Sequence, residues 1–148
     1  MTNTNTKIFD AVNKPTNIEK MEVINFLHKH LQEYGDPKAD IQKAIDFSIK
    51  EFVSFGGFTM LLIENNEIVG ATVINQTGMG GYIPENILVY IAIDQHHRGK
   101  GFGKTLMEKA VSFCKGDIAL HVEATNPAIK LYEKLGFTNP YLEMRLKK

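Results

Sequence analysis

A chain of 148 residues suits one domain, spanning 1–148, and a domain of that size buries roughly 68–70% of the surface its unfolded form exposes. Hydrophobic residues at 43% and charged residues at 23% are ordinary for a soluble globular protein, and no linker, repeat or low-complexity tract interrupts them. Seventeen basic and seventeen acidic side chains cancel, so no overall field draws the protein to nucleic acid or to an acidic membrane.

Met1–Thr6 has neither the basic nor the apolar region of a signal peptide, which predicts a cytoplasmic protein. Lys7–Val12 reads as a short strand. Thr16 and Glu19 have capping-box spacing, and Ile18, Met21, Ile24, Leu27, Leu31 and Tyr34 then recur at helical intervals up to Gly35. Asp36-Pro37 opens a second helix with Ile41, Ile45, Ile49 and Phe52 on one stripe, stopping at Gly56-Gly57. Phe58–Glu64 and Glu67–Asn75 are strands, joined by Asn65-Asn66, whose tolerance of positive φ suits a tight hairpin. Gln76–Pro84 holds three glycines and no periodicity, as a loop does.

Ile87–Ile93 is the longest apolar run, a buried strand of seven residues against the roughly 18 of a membrane span. It leads through His96 and His97 to Arg98-Gly99-Lys100-Gly101-Phe102-Gly103 and then a helix over Lys104–Lys115, with Leu106, Ala110 and Phe113 on one face and Gly116 ending it. Ile118–Ala124 is the next strand, and a right-handed crossover makes it parallel to Ile87–Ile93. Asn126-Pro127 starts a helix to Leu135, with Gly136 as the left-handed residue after it and Phe137 packing back. Leu142, Met144 and Leu146 alternate with charged residues, as in a final half-exposed strand. The fold class is therefore α/β, a mixed and mostly antiparallel sheet with one parallel pair.

Arg98 to Lys104 carries three positive charges and no negative one. A glycine-rich turn there, opening a helix, aims several backbone N–H groups at one anion, and the helix dipole favours negative charge. The dinucleotide fingerprint G-x-G-x-x-G fails in both registers, with Lys104 or Leu106 at its last glycine. The nucleotide loop G-x-x-x-x-G-K-S/T finds its end in Gly103-Lys104-Thr105, but Arg98 occupies its first glycine. A nucleotide-binding enzyme remains as a rival.

Arg98-x-x-Gly101-x-Gly103 resembles the Q/R-x-x-G-x-G/A signature of the GNAT superfamily of N-acetyltransferases. Asn126 to Phe137 resembles that family's N-x-x-A-x-x-L/F-Y-x-x-x-G-F element, with the alanine one place early at Ala128. The order of elements resembles the whole GNAT fold, which implies a parallel strand pair splayed at the acetyl-CoA site. The resemblance implies acetyl-CoA as cosubstrate. It places the pantetheine arm and acetyl group on backbone of Ile91, Ala92 and Ile93, and the pyrophosphate on Arg98, Gly99, Lys100, Gly101, Phe102, Gly103 and Lys104. Asn126 contacts pantetheine and caps the helix; Tyr132 reaches the sulfur. Glycine at 99, 101 and 103 keeps side chains from between phosphates and amides.

Acetyl transfer by direct attack in a ternary complex needs a neutral amine, and an alkyl amine of pKa near 10.4 arrives mostly protonated. Glu85, at the entrance of the central strand, and Glu123 and His121, on one face of the next, are candidate bases. A backbone N–H around Ile91 or Ala92 is the expected oxyanion donor, and Tyr132 the acid that protonates the thiolate. His96 and His97 read as neighbours of the turn. No metal is expected, since the histidines and Cys114 show no paired ligand spacing and His28 and His30 point to different sides of a helix. Cys114 reads as packing. The expected partner is a small-molecule or protein amine, and the state a monomer or homodimer. A coenzyme A-binding sensor without catalysis would need the same cofactor motifs.

Overall fold

The computed structural model describes residues 4–148; Met1–Asn3, half of the stretch read for a signal peptide, lie outside the described residues. Five strands form one sheet in the order β1-β2-β3-β4-β5. They are β1 (Thr4–Phe9), β2 (Gly57–Glu64), β3 (Glu67–Gln76), β4 (Asn86–Ile93) and β5 (Ile118–Leu120). The first four pair antiparallel and β5 runs parallel to β4. Helices α1 (Asn17–Leu31) and α2 (Lys38–Ser48) pack on one face, α3 (Phe102–Phe113) and α4 (Ile129–Lys134) on the other.

The first strand begins and ends three residues earlier than its sequence suggests. Asp10 stops it, because its Oδ1 accepts from the N–H groups of Val12 and Asn13 and turns the chain. The capping box then forms in full: Thr16 accepts from the Glu19 N–H, and Glu19 accepts from the Thr16 N–H. Thr16→Ala removes half of it, and the expected loss is about 1 kcal/mol, seen as a lower thermal midpoint with an unchanged far-ultraviolet spectrum.

Helix α1 buries Val23, Ile24, Phe26, Leu27 and His30, while Ile18 and Met21 of the expected stripe face solvent. The apolar face is thus rotated toward the 23-26-27-30 row. In α2, Ile41, Ile45 and Ile49 are buried as their spacing predicts, but the helix ends at Ser48 and Phe52 is half exposed. Asn65 and Asn66 both take positive φ in the β2–β3 turn.

Two departures in the sheet shape the region around β4. Val73 pairs with Tyr90 but Ile74 pairs with Leu88, so Val89 is an extra residue, a bulge in β4. The bulge switches the phase of the strand: Leu88, Ile91 and Ile93 face α3 and α4, whereas Tyr90 and Ala92 face α1 and α2. Secondly, β5 is only three residues long, so the parallel pairing runs from Asn86↔Ile118 to Leu88↔Leu120 and stops. From Val89 onward the β5-side edge of β4 has no strand partner among the described residues. The side chain of Asn86 fastens the closed end by donating to the carbonyls of Lys115 and Asp117.

The expected strand to Ala124 therefore ends at Leu120, and the helix expected from Asn126 starts at Ile129. The Asn126 side chain still accepts from the Ala128 N–H, but it shapes a turn before the helix rather than its first turn. The alternating segment Leu142, Met144 and Leu146 forms no strand; all three are exposed and pair with no sheet edge. Among the described residues no helix is long and apolar enough to cross a membrane.

Candidate functional site

The turn from Asp94 to Gly101 leaves β4 at its open end. Asp94 starts it by accepting from the His96 N–H at 2.8 Å and lying 3.2 Å from His97 Nδ1. Burial alone would raise the Asp94 pKa, but those hydrogen bonds outweigh it and the net direction is down. Gly99 and Gly101 both lie in the left-handed region, at φ +79° and +83°, and a Cβ on either would meet nothing within 4 Å. Their outer side is open space. Gly101 is the N-cap of α3, has no side-chain cap hydrogen bond, and no acidic residue occupies the first turn.

The first intrahelical hydrogen bond is from the Thr105 N–H to the Gly101 carbonyl. The N–H groups of Phe102, Gly103 and Lys104 consequently have no partner within the helix, and the dipole adds positive potential at the same place. These residues fit a pyrophosphate. Lys100 and Lys104 are exposed beside them, and Lys104 pairs only loosely with Glu108 at 3.8 Å.

Gly103 has a different reason for being glycine than its two neighbours. A Cβ there would sit 3.3 Å from Leu131 of α4 and 3.7 Å from Ile93, so its bare backbone lets α4 close on α3. Arg98 also departs from the simple expectation of a ligand contact. Its Nη2 donates to the His30 carbonyl at 2.8 Å and its Nε to the Ile93 carbonyl at 3.4 Å. The guanidinium sits at the carboxyl end of α1, where unpaired carbonyls favour a cation, and ties the turn to that helix.

Ile91, Ala92 and Ile93 lie on the unpaired stretch of β4, next to the turn. Tyr132, in the middle of α4, is only 7% exposed and its ring lies edge-on to Phe137 at 5.8 Å. Burial pushes its pKa up, so at neutral pH the hydroxyl keeps its proton. The Phe137 N–H returns to the Tyr132 carbonyl around Gly136, at φ +100°, which closes the helix as its sequence predicts.

The candidate bases are not brought together. Glu85 precedes β4 at the closed end, where its Oε1 accepts from the Asp117 N–H; six residues of strand put it on the order of 20 Å from Ile91. Glu123 and His121 lie exposed in the irregular segment after β5 rather than on a strand face. Cys114 is partly buried and its thiol is pushed up to about 11 by burial, as a packing residue's would be.

Three features of this region have no clear sequence signal. The bulge at Val89 follows from a register that no local pattern records. Tyr34 donates to the carbonyl of Thr125 at 3.1 Å, joining the α1–α2 connection to the segment before α4. Tyr90 donates to Asp36 at 2.5 Å, and its burial, followed by Asp36 itself, raises its pKa strongly.

Residues 22–137 match the model of the Acetyltransferase (GNAT) family. Over 80 residues the chain is 38% identical to the ribosomal protein bS18-alanine N-acetyltransferase of Haemophilus influenzae, covering 51% of each chain. Over 82 residues it is 35% identical to N-alpha-acetyltransferase 30 of Xenopus laevis, covering 52% of this chain and 30% of that one. The chain thus spans about half or less of the length of the curated relatives it matches. In three dimensions it is similar to a GNAT-family acetyltransferase of Streptococcus pneumoniae TIGR4, with TM-score 0.68, 16% identity and 98% coverage of both chains. A family match that begins inside α1 and runs through Phe137 takes in the bulged strand, the glycine-rich turn and the helix of Tyr132: the chain belongs to the GNAT family of acetyltransferases.

Proposed function

We propose that residues 1–148 form one cytoplasmic N-acetyltransferase domain that moves the acetyl group of acetyl-CoA directly to an amine. The observation that carries this is the meeting of two unsatisfied backbone surfaces: the uncapped amides of α3, behind the open turn at Gly99 and Gly101, and the edge of β4 freed at Val89. The first takes the pyrophosphate on residues 98–104. The second offers backbone groups of Ile91, Ala92 and Ile93 to the pantetheine arm and to the carbonyl oxygen. When bound, acetyl-CoA supplies an activated thioester carbonyl.

The amine nitrogen bonds to the carbonyl carbon as the carbon–sulfur bond breaks. The amine's proton passes to Glu123 or His121 or through water, and the Tyr132 hydroxyl gives its proton to the departing sulfur. Glu85 is left out of this reading by its position at the closed end of the sheet. Both curated relatives carry names of N-acetyltransferases, one acting on an alanine of a ribosomal protein, so a peptide α-amine heads the candidate acceptors. With a pKa near 8, such an amine is also more often neutral than an alkyl amine of about 10.4.

The test is release of coenzyme A thiol from acetyl-CoA across a panel of alanine-initiated peptides, polyamines, amino acids and aminoglycosides. The expected result is acceptor-dependent release, fastest with a peptide. Stabilisation by coenzyme A without turnover of any amine would mark a binding module instead, and stabilisation by ATP alone would return the nucleotide reading.

A further inference from the structure

The histidine at the carboxyl end of α1 packs its ring on Phe26 of the same helix and turns its ring nitrogens away from it. His30 is 5% exposed, and both its ring nitrogens and its carbonyl are turned toward the segment that follows β4. Its Nδ1 accepts from the Gln95 N–H at 3.2 Å, and its own carbonyl accepts from Arg98 at 2.8 Å. Since Nδ1 accepts, the ring proton of the neutral form is on Nε2, which lies 3.3 Å from Asp94 Oδ2. Asp94 in turn faces His97 Nδ1, whose Nε2 lies 3.5 Å from buried Glu64 of β2. The side chain of residue 30 therefore grips positions 94 and 95, and its backbone carbonyl holds Arg98 at the other end of the first turn out of β4.

Resting on the acetyltransferase reading above, we propose that His30 is the positioning residue of the anion-binding turn, fixing the approach of Gly99–Gly103 to the coenzyme from outside the loop. It touches no ligand in this reading. Its side chain acts through Gln95 and Asp94, so its loss loosens the turn and weakens coenzyme binding while the acetyl end keeps its geometry.

The grip requires the neutral ring. A proton on Nδ1 would set a donor against the Gln95 N–H, and the contact would open. Burial is the largest influence on His30 and lowers its pKa; Asp94 raises it, and Lys29, Arg98 and His96 lower it further. Glu22 of α1 and Glu67 of β3 line the shallow cavity beside it. A lowered pKa means that the unfolded chain, near the ordinary 6.5, takes up its proton first as pH falls. In the folded protein the ring takes its proton only at lower pH than that, so the neutral grip persists at 6.5 and opens as pH falls further, through the lowered value.

His30→Leu keeps the packing volume and the carbonyl that holds Arg98 and removes the ring's polar contacts to Gln95 and Asp94, while His30→Asn keeps an acceptor near the Gln95 N–H. In the full chain, His30→Leu is expected to raise the KM for acetyl-CoA roughly tenfold with kcat little changed, and His30→Asn to raise it less. The wild-type KM should climb once pH falls through the lowered His30 value, below 6.5, beyond any climb seen in His30→Leu. A fall in kcat at constant KM, or the same pH profile in both proteins, overturns the proposal. Amide hydrogen exchange without any ligand separates this from failure of the acetyltransferase reading. Faster exchange at residues 95–104 in His30→Leu, with α2 and β2 unchanged, supports the grip whatever the chemistry; unchanged protection there sinks it even in an active enzyme.

Discussion

Gly101→Val is expected to weaken coenzyme A binding by roughly ten- to a hundredfold, the equivalent of about 1.5–3 kcal/mol for hydrogen bonds to a charged group. Gly101 holds φ at +83° as the cap of α3, and a β-branched residue is a poor occupant of that region. The strain costs about 1–2 kcal/mol, which for a chain of this length lowers the thermal midpoint by about 2–4 °C per kcal/mol. The more telling consequence is steric. Apart from its chain neighbours, none of the described residues lies within 4 Å of the new Cβ, so the free protein folds around the substitution. The side chain then occupies open space at the start of α3, beside the unpaired amides of Phe102, Gly103 and Lys104 that an anion would approach. Calorimetry with coenzyme A and with its dephosphorylated pantetheine portion locates the loss: the first ligand should lose affinity and the second should not. Equal loss of both would mean that the turn had collapsed, and would count against the anion-binding reading.

Gly103→Ala makes the contrast, because the two glycines look identical in sequence and differ in surroundings. At 103 the added methyl meets Leu131 and Ile93, so its cost falls on the packing of α3 against α4. This is the general limit of what the sequence could reveal here. The glycine spacing marks a turn that opens a helix, and the α3 face of Leu106 and Ala110 lies where periodicity puts it. Each of these depends on residues close in the chain. Whether a given glycine faces solvent or a helix that follows 28 residues later is a tertiary fact.

The same division explains the misses. The Thr16–Glu19 box, the Asn65-Asn66 turn and the Gly136 cap are local hydrogen-bonding devices, and each forms where its residues predict. The strand after Gly116 fell short because β5 needs β4 as its partner, and the bulge at Val89 carries β4 away after Leu88. His121 and Glu123 left the strand with it. Arg98 matches the motif, and the carbonyls of residues 30 and 93 that hold its side chain are partners that no motif records. Alternation at Leu142, Met144 and Leu146 records only a capacity for pairing, and no edge takes them up.

Tyr132→Phe is expected to lower kcat by roughly ten- to a hundredfold while changing the affinity for coenzyme A by less than about twofold. The low end of the range for acid catalysis applies, because a thiol of pKa near 8.5 already leaves readily. The phenol is well placed to keep its proton for that step. Its burial among Phe137, Leu131 and neighbouring apolar groups raises its pKa, so it stays a donor across the whole range in which the amine becomes neutral. The acid limb of the kcat profile then belongs to the group that accepts the amine's proton, and Tyr132→Phe should leave that limb in place while lowering the plateau. Replacing the sulfur's partner also predicts sensitivity to the leaving group. An acetyl thioester of a more acidic thiol needs less help, so it should recover most of the lost rate in Tyr132→Phe and gain little in the wild type. If the variant instead loses coenzyme affinity and kcat together, the hydroxyl is holding the cofactor rather than protonating it. If neither moves, Tyr132 is a core residue that fills the space between α4 and the sheet, and the proton for the thiolate comes from water.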